Sequence, residues 1–134
     1  WVYGRGKQNF LYKLRQWARQ NRELRITADE ISVPTSTRLI ADLTLKALSQ
    51  NVRGLYHLTA GGKASRFELA QEYFRLAGLE NRLIPCSIDD FTLPARRPKN
   101  SAMASTRLAR ELAMTIPHWK QDLQRMPLGA MSRE

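Results

Sequence analysis

The chain is poor in cysteine and in acidic side chains, and it has no long apolar run. Its single cysteine, Cys86, excludes an internal disulfide framework and a four-cysteine zinc site, which fits a reducing compartment and makes the cytoplasm the expected location. No apolar stretch approaches the roughly 20 residues that span a bilayer, and the first residues lack the charged-then-apolar order of a signal peptide. Twelve Asp and Glu stand against 22 Lys and Arg, for a net charge of +10 in 134 residues. The excess bunches near the start, at Arg5, Lys7, Lys13, Arg15, Arg19, Arg22 and Arg25, with Glu23 alone opposing it. Such a run suits nucleic acid, but no zinc-finger spacing or ribonucleoprotein motif accompanies it, and the nearby Phe10 and Trp17 fall on the apolar stripe of a helix. A solvated basic face that steers an anionic small ligand is the better reading. What is present in quantity is apolar: 43% hydrophobic residues can bury a modest core of one domain's size.

The periodicity gives an alternating α/β order without an internal repeat. Trp1-Val2-Tyr3 has the composition of a strand end, Gly4 and Gly6 hinge a loop, and Asn9 is placed to cap a helix of about four turns on the stripe Phe10, Leu11, Leu14, Trp17 and Ala18. Leu24, Ile26 and Ala28 alternate as a short strand, and Asp29 to Pro34 reads as loop. A second helix from Thr35-Ser36 is expected to bury Leu39, Ile40, Leu43, Ala47 and Leu48. Leu55 to Thr59 reads as a strand ending at Gly61-Gly62. Ser65-Arg66-Phe67-Glu68 is a capping box for a helix carrying Phe67, Ala70, Tyr73, Phe74 and Ala77, with Gly78 as its left-handed stop. Leu83 to Ile88 is an edge strand because of Pro85, Phe91 to Ser101 an extended loop, and Ser105 and Pro117 introduce two last helices.

Chemistry-bearing motifs are sparse. Gly4-x-Gly6 lacks the third glycine of a dinucleotide turn, and Gly61-Gly62-Lys63 lacks the upstream glycine of a P-loop. Tyr3 and Lys7 have the spacing that on a helix would let an ammonium lower a phenol's pKa, but the glycines between them argue against a helix. His57 and His118 have no partners at metal-ligand spacing, Cys86 has no neighbouring base, and Asp89-Asp90 reads as a turn or cap.

The motifs Trp1-Val2-Tyr3-Gly4, Asn9-Phe10, Val33-Pro34-Thr35, Gly54-Leu55-Tyr56-His57-Leu58 and Arg97-Pro98-Lys99-Asn100-Ser101 occur in one order over residues 1 to 126. In this the chain resembles the dTDP-4-dehydrorhamnose reductases, a family of extended short-chain dehydrogenases. The resemblance implies an α/β fold, the C-terminal part of an NAD(P)-binding Rossmann-like architecture that lacks its N-terminal dinucleotide-binding half. Residues 1–126 would be the nucleotide-sugar-binding portion and 127–134 a tail. It implies that the complete enzyme uses NADPH or NADH to reduce the C4 ketone of dTDP-4-dehydro-L-rhamnose, with its catalytic Tyr and Lys upstream of Trp1. This chain alone would then bind no cofactor and self-associate through its cut sheet.

The same resemblance places Trp1 against the sugar, where an indole could pack on C–H bonds, or else in the core. Asn9 is a cleft residue or simply a helix cap; Pro34 and Thr35 face the sugar nucleotide or merely start a helix. Arg97, with Arg96 as its competitor, would grip the diphosphate. Departures from the family pattern are Ser32 for a glycine in Asp29-Glu30-Ile31-Ser32-Val33-Pro34-Thr35, Arg66 for a tryptophan, and Met103-Ala104 for a Leu-Asp or Leu-Asn pair. They leave open a paralogue acting on another nucleotide sugar, and a non-catalytic basic module binding RNA or protein on the same fold.

Overall fold

The computed structural model describes residues 1–92, 94, 95 and 97–126. Arg96 and the expected tail at 127–134 lie outside them. In chain order the elements are β1 (Val2–Tyr3), α1 (Phe10–Gln20), β2 (Glu23–Thr27), β3 (Ile31–Ser32), β4 (Thr35–Ser36), α2 (Thr37–Ser49), β5 (Ala64–Ser65), α3 (Arg66–Ala77), β6 (Arg82–Cys86), α4 (Thr106–Glu111) and α5 (Trp119–Gln124). A 3-10 turn, Ile88–Asp90, follows β6. The strands form three two-stranded pairs: β1 with β4 and β2 with β6, both parallel, and β3 with β5, antiparallel.

Helix α3 is the hub, in contact with β2, β5, β6, α1 and α5. Its boundaries follow from local chemistry. The Ser65 hydroxyl accepts from Glu68 N at 3.0 Å while the Glu68 carboxylate accepts from Ser65 N at 2.7 Å. Gly78, at φ +63°, takes the left-handed conformation that ends the helix. Between these ends Leu69, Ala70, Tyr73 and Phe74 are buried against Leu11 and Leu14 of α1, Leu24 and Ile26 of β2, and Leu123 of α5. Burial of such side chains contributes about 1.5–3 kcal/mol each and is what holds these short elements together.

Several expectations need correction. Helix α1 has 11 residues, three turns rather than four, because Asn21 bonds back to the Trp17 carbonyl and leaves the helix in an extended conformation. The loop expected over Asp29–Pro34 contains β3, paired with β5. On α2 only Leu39 and Leu43 are buried, and Leu48 is exposed, so the apolar stripe is narrower than its sequence suggested. Leu55 to Thr59 forms no strand: among the described residues no strand lies alongside, and Leu55 is 89% exposed. Ser105 precedes α4 without capping it; its hydroxyl accepts from Thr59 N at 2.6 Å instead.

One buried polar knot ties the ends of the chain together. The Asp122 carboxylate of α5 accepts from the Tyr3 hydroxyl at 3.0 Å, from Ser36 N at 2.7 Å and from the Ser36 hydroxyl at 2.7 Å. Ser36 in turn caps α2 by accepting from Leu39 N at 3.0 Å. Burial and the neighbouring carboxylate push the Tyr3 phenol well above its ordinary pKa. Hydrogen bonds to a buried charge contribute about 1.5–3 kcal/mol each. Asp122→Ala is therefore expected to cost at least about 3 kcal/mol, a fall in Tm on the order of 10 °C. Tyr3→Phe, which removes one bond, should cost about half as much by thermal melting; equal stability of both variants to the parent would show the knot to be unimportant.

Candidate functional site

Strand β1 and the loop that follows it form one wall of a cleft of about 610 Å³. Asn9 shapes this wall. Its side-chain oxygen accepts from Tyr12 N at 3.0 Å, and its amide nitrogen donates to the Gly4 carbonyl at 3.0 Å and to that of Gly6. All of its polar atoms are thereby engaged in folding the glycine loop onto the start of α1. Trp1, Phe10 and Trp17 supply aromatic surface, with Phe10 and Trp17 edge to face at 6.4 Å between centroids. Trp17, expected in the core stripe, is 42% exposed at the cleft.

The opposite wall comes from β2, the start of α3 and the loop after β6. Arg25, on β2, bonds Asp90 at 2.6 Å and lies 5.8 Å from the Phe91 ring centre. Arg66, the first residue of α3, donates from Nε to Glu30 at 3.0 Å, and Glu30 also accepts from the Thr27 hydroxyl at 2.6 Å. The Arg66 guanidinium sits over Trp1 at 4.6 Å and over Phe10 at 5.1 Å. Lys13 and Arg97 complete a set of four cations, and Arg97 is exposed with no carboxylate partner among the described residues. Trp1, Phe10 and Trp17 beside four cations, two of them paired with carboxylates, fit a ligand that has both a planar or C–H face and negative charge.

Of the residues singled out from the sequence, Trp1, Asn9 and Arg97 converge on this cleft. Pro34 and Thr35 do not: both are buried, and the Thr35 hydroxyl donates to Val33 O at 3.2 Å and accepts from Ala60 N at 3.1 Å. The sequence reading missed Arg66, Glu30, Lys13 and Arg25 as cleft residues. The one available signal was Arg66, which stands where the family pattern has a tryptophan.

Neither glycine pair fits a dinucleotide. At the start of α1 the Tyr12 amide is already taken by the Asn9 side chain, and Gly62, at φ +80°, has its open face filled by the His118 ring. Tyr3 and Lys7 share no helix face, since Tyr3 ends a strand and Lys7 lies in the turn. Cys86 is half-buried in β6, and burial raises its thiol pKa. No group of three His, Cys, Asp or Glu side chains that could hold a metal is found among the described residues, and no helix there is long and apolar enough to cross a membrane. Two other depressions, of about 440 Å³ at the start of α2 and about 720 Å³ beside Thr59 to Lys63, contain none of Trp1, Asn9, Pro34, Thr35 and Arg97.

The parallel β-pairs, with helices between them and a basic aromatic cleft at the strand ends, define the C-terminal part of an extended short-chain dehydrogenase fold. Residues 1–129 match the family model described as the RmlD substrate binding domain, and the chain belongs to that family. It is 32% identical over 137 residues to a dTDP-4-dehydrorhamnose reductase from Sinorhizobium fredii, covering 94% of this chain and 46% of that protein. Among solved structures it resembles a dTDP-4-dehydrorhamnose reductase from Clostridium acetobutylicum at TM-score 0.87 and 31% identity, over 94% of this chain and 45% of that one. The Bacillus anthracis dTDP-4-dehydrorhamnose reductase in complex with NADP gives TM-score 0.85 at 28% identity, over 94% and 44% of the two chains. The chain thus spans about half the length of the relatives it matches.

The loop that carries Arg97 is anchored at its far end. Ile31 N donates to Lys99 O at 2.7 Å and Ser101 N to Ile31 O at 2.9 Å, while the Lys99 ammonium reaches Asp89 at 2.7 Å and Asp29 at 3.3 Å. The Ser87 hydroxyl and Ile88 N, which donate to Asp29, lower its pKa to about 2, with a smaller contribution from Lys99. A depressed carboxyl stabilises the folded loop above the unfolded value near about 4 and loses that contribution as pH falls through about 2. Asp29→Asn should therefore flatten the acid limb of the stability profile between those values, as read by melting temperature against pH. An unchanged limb would detach Asp29 from the loop anchor.

Proposed function

We propose that this chain is the sugar-nucleotide-binding part of an NADPH-dependent reductase that converts dTDP-4-dehydro-L-rhamnose to dTDP-L-rhamnose. The observation that carries this reading is the convergence of Trp1, Phe10, Arg66 and Arg97 on one cleft, in a chain belonging to the RmlD substrate binding domain family. A diphosphate carries charge that a planar guanidinium can meet with two parallel donors, and Arg97, exposed in the cleft, has no carboxylate partner among the described residues to compete for them. The aromatic side of the cleft then receives the sugar. Asn9 acts here chiefly by shaping the wall, since both of its amide hydrogens are donated to the glycine loop and its oxygen already accepts from Tyr12 N.

The cofactor and the proton donor belong to the complete protein, because neither glycine pair of this chain suits a pyrophosphate and the Tyr3 hydroxyl is committed to Asp122. The cleft's own task is to bind and orient. Loss of a charge-assisted contact costs about 1.5–3 kcal/mol, or roughly ten- to a hundredfold in affinity. Arg97→Ala is expected to weaken binding of dTDP by that factor in isothermal titration. Parent-like affinity for dTDP would remove Arg97 from the diphosphate site.

A further inference from the structure

We propose that Arg66 determines which sugar this cleft accepts, by donating hydrogen bonds from its terminal nitrogens to a hydroxyl or carbonyl oxygen of the bound sugar. The inference rests on the sugar-nucleotide reading above and adds to it a contact that replaces the bare indole surface expected at Trp1. Three constraints fix the guanidinium. Its Nε is bonded to Glu30 at 3.0 Å, and its central carbon lies over the Trp1 ring at 4.6 Å and over the Phe10 ring at 5.1 Å. Glu30 is itself 5% exposed and held by the Thr27 hydroxyl, so the ion pair is anchored from below. Only the outer edge of the guanidinium remains for the cleft, and its side chain is 23% exposed.

A sugar approaching the Trp1 face that Arg66 covers therefore meets a cation. The edge nitrogens have no acceptor among the described residues, which leaves them to solvent water. A ligand that covers them with C–H bonds or a methyl group strips that water and leaves half-buried donors unpaired, which is unfavourable. A ligand that turns an oxygen toward them restores the bond in a drier setting. The fixed, pre-ordered fork also loses little freedom on binding, which favours discrimination by geometry. A tryptophan at position 66 could offer stacking but only one N–H, and would give Glu30 no counter-charge.

The test compares dTDP-L-rhamnose with dTDP in isothermal titration, using the protein expressed from the complete reading frame that encodes this chain. Removing Arg66 alone would leave Glu30 buried without its counter-ion, so the variant is the double substitution Glu30→Gln with Arg66→Met. The parent should bind dTDP-L-rhamnose more tightly than dTDP. The double variant should bind dTDP as the parent does and lose roughly ten- to a hundredfold in affinity for the sugar nucleotide alone. If it melts unfolded, Arg66→Lys, which keeps the charge beside Glu30 but not the fork, decides by the same ratio of affinities. A variant that keeps the parent's ratio, or weakens both ligands equally, overturns the contact and leaves the sugar-nucleotide reading standing. Failure of the parent to bind either ligand overturns that reading and this inference together.

Discussion

A single carboxylate, that of Asp122, is the constraint on which the arrangement of this chain depends. It is buried on α5, yet its three donors come from β1 and from the junction of β4 with α2, regions 119 and 86 residues away in sequence. An unpartnered charge in that position would be strongly destabilising, so α5 can dock only where Tyr3 and Ser36 present their donors. That docking orders β1 beside β4, Val2 opposite Thr35 and Tyr3 opposite Ser36. With alternating side chains, Tyr3 points inward and Val2 outward, and Trp1 and Val2 both line the cleft.

The cleft inherits its character from what that framework leaves exposed. Lys13 and Arg25 stand on elements whose inner faces are filled by Leu14, Leu24 and Ile26, so their charges point to solvent at the cleft. Arg66 differs from them because the capping box at Ser65 starts α3 at that residue and holds it above β2, where Glu30 neutralises it. The overall charge of +10, which alone suggests a nucleic-acid surface, is partly concentrated into a pocket suited to a small anionic ligand.

Features that depend on near neighbours were legible in the sequence. Asn9 caps α1, Ser65 with Glu68 caps α3, and Gly78 ends it, because each uses backbone groups within four residues. The motif order also placed Trp1, Asn9 and Arg97, which meet in the cleft. Features that depend on distant partners were not legible. Asp122 finds its partners 119 and 86 residues away, and the Glu30 to Arg66 pair joins residues 36 apart. Leu55 to Thr59 has strand composition, but a strand exists only with a hydrogen-bonded neighbour, and none of the described residues provides one. Ser105 had the right residue type and position for a cap, and its hydroxyl was claimed instead by the Thr59 amide across the fold.

The three tryptophans provide the most direct test of the cleft as the ligand site, because Trp1 and Trp17 line it while Trp119 is buried on α5. Their indole N–H signals can be followed by heteronuclear NMR during titration with dTDP-L-rhamnose, after assignment by single Trp→Phe substitutions. The account predicts saturable shifts of the Trp1 and Trp17 signals with Trp119 unmoved. Saturable movement of Trp119 with Trp1 and Trp17 unchanged would place the ligand elsewhere and contradict it.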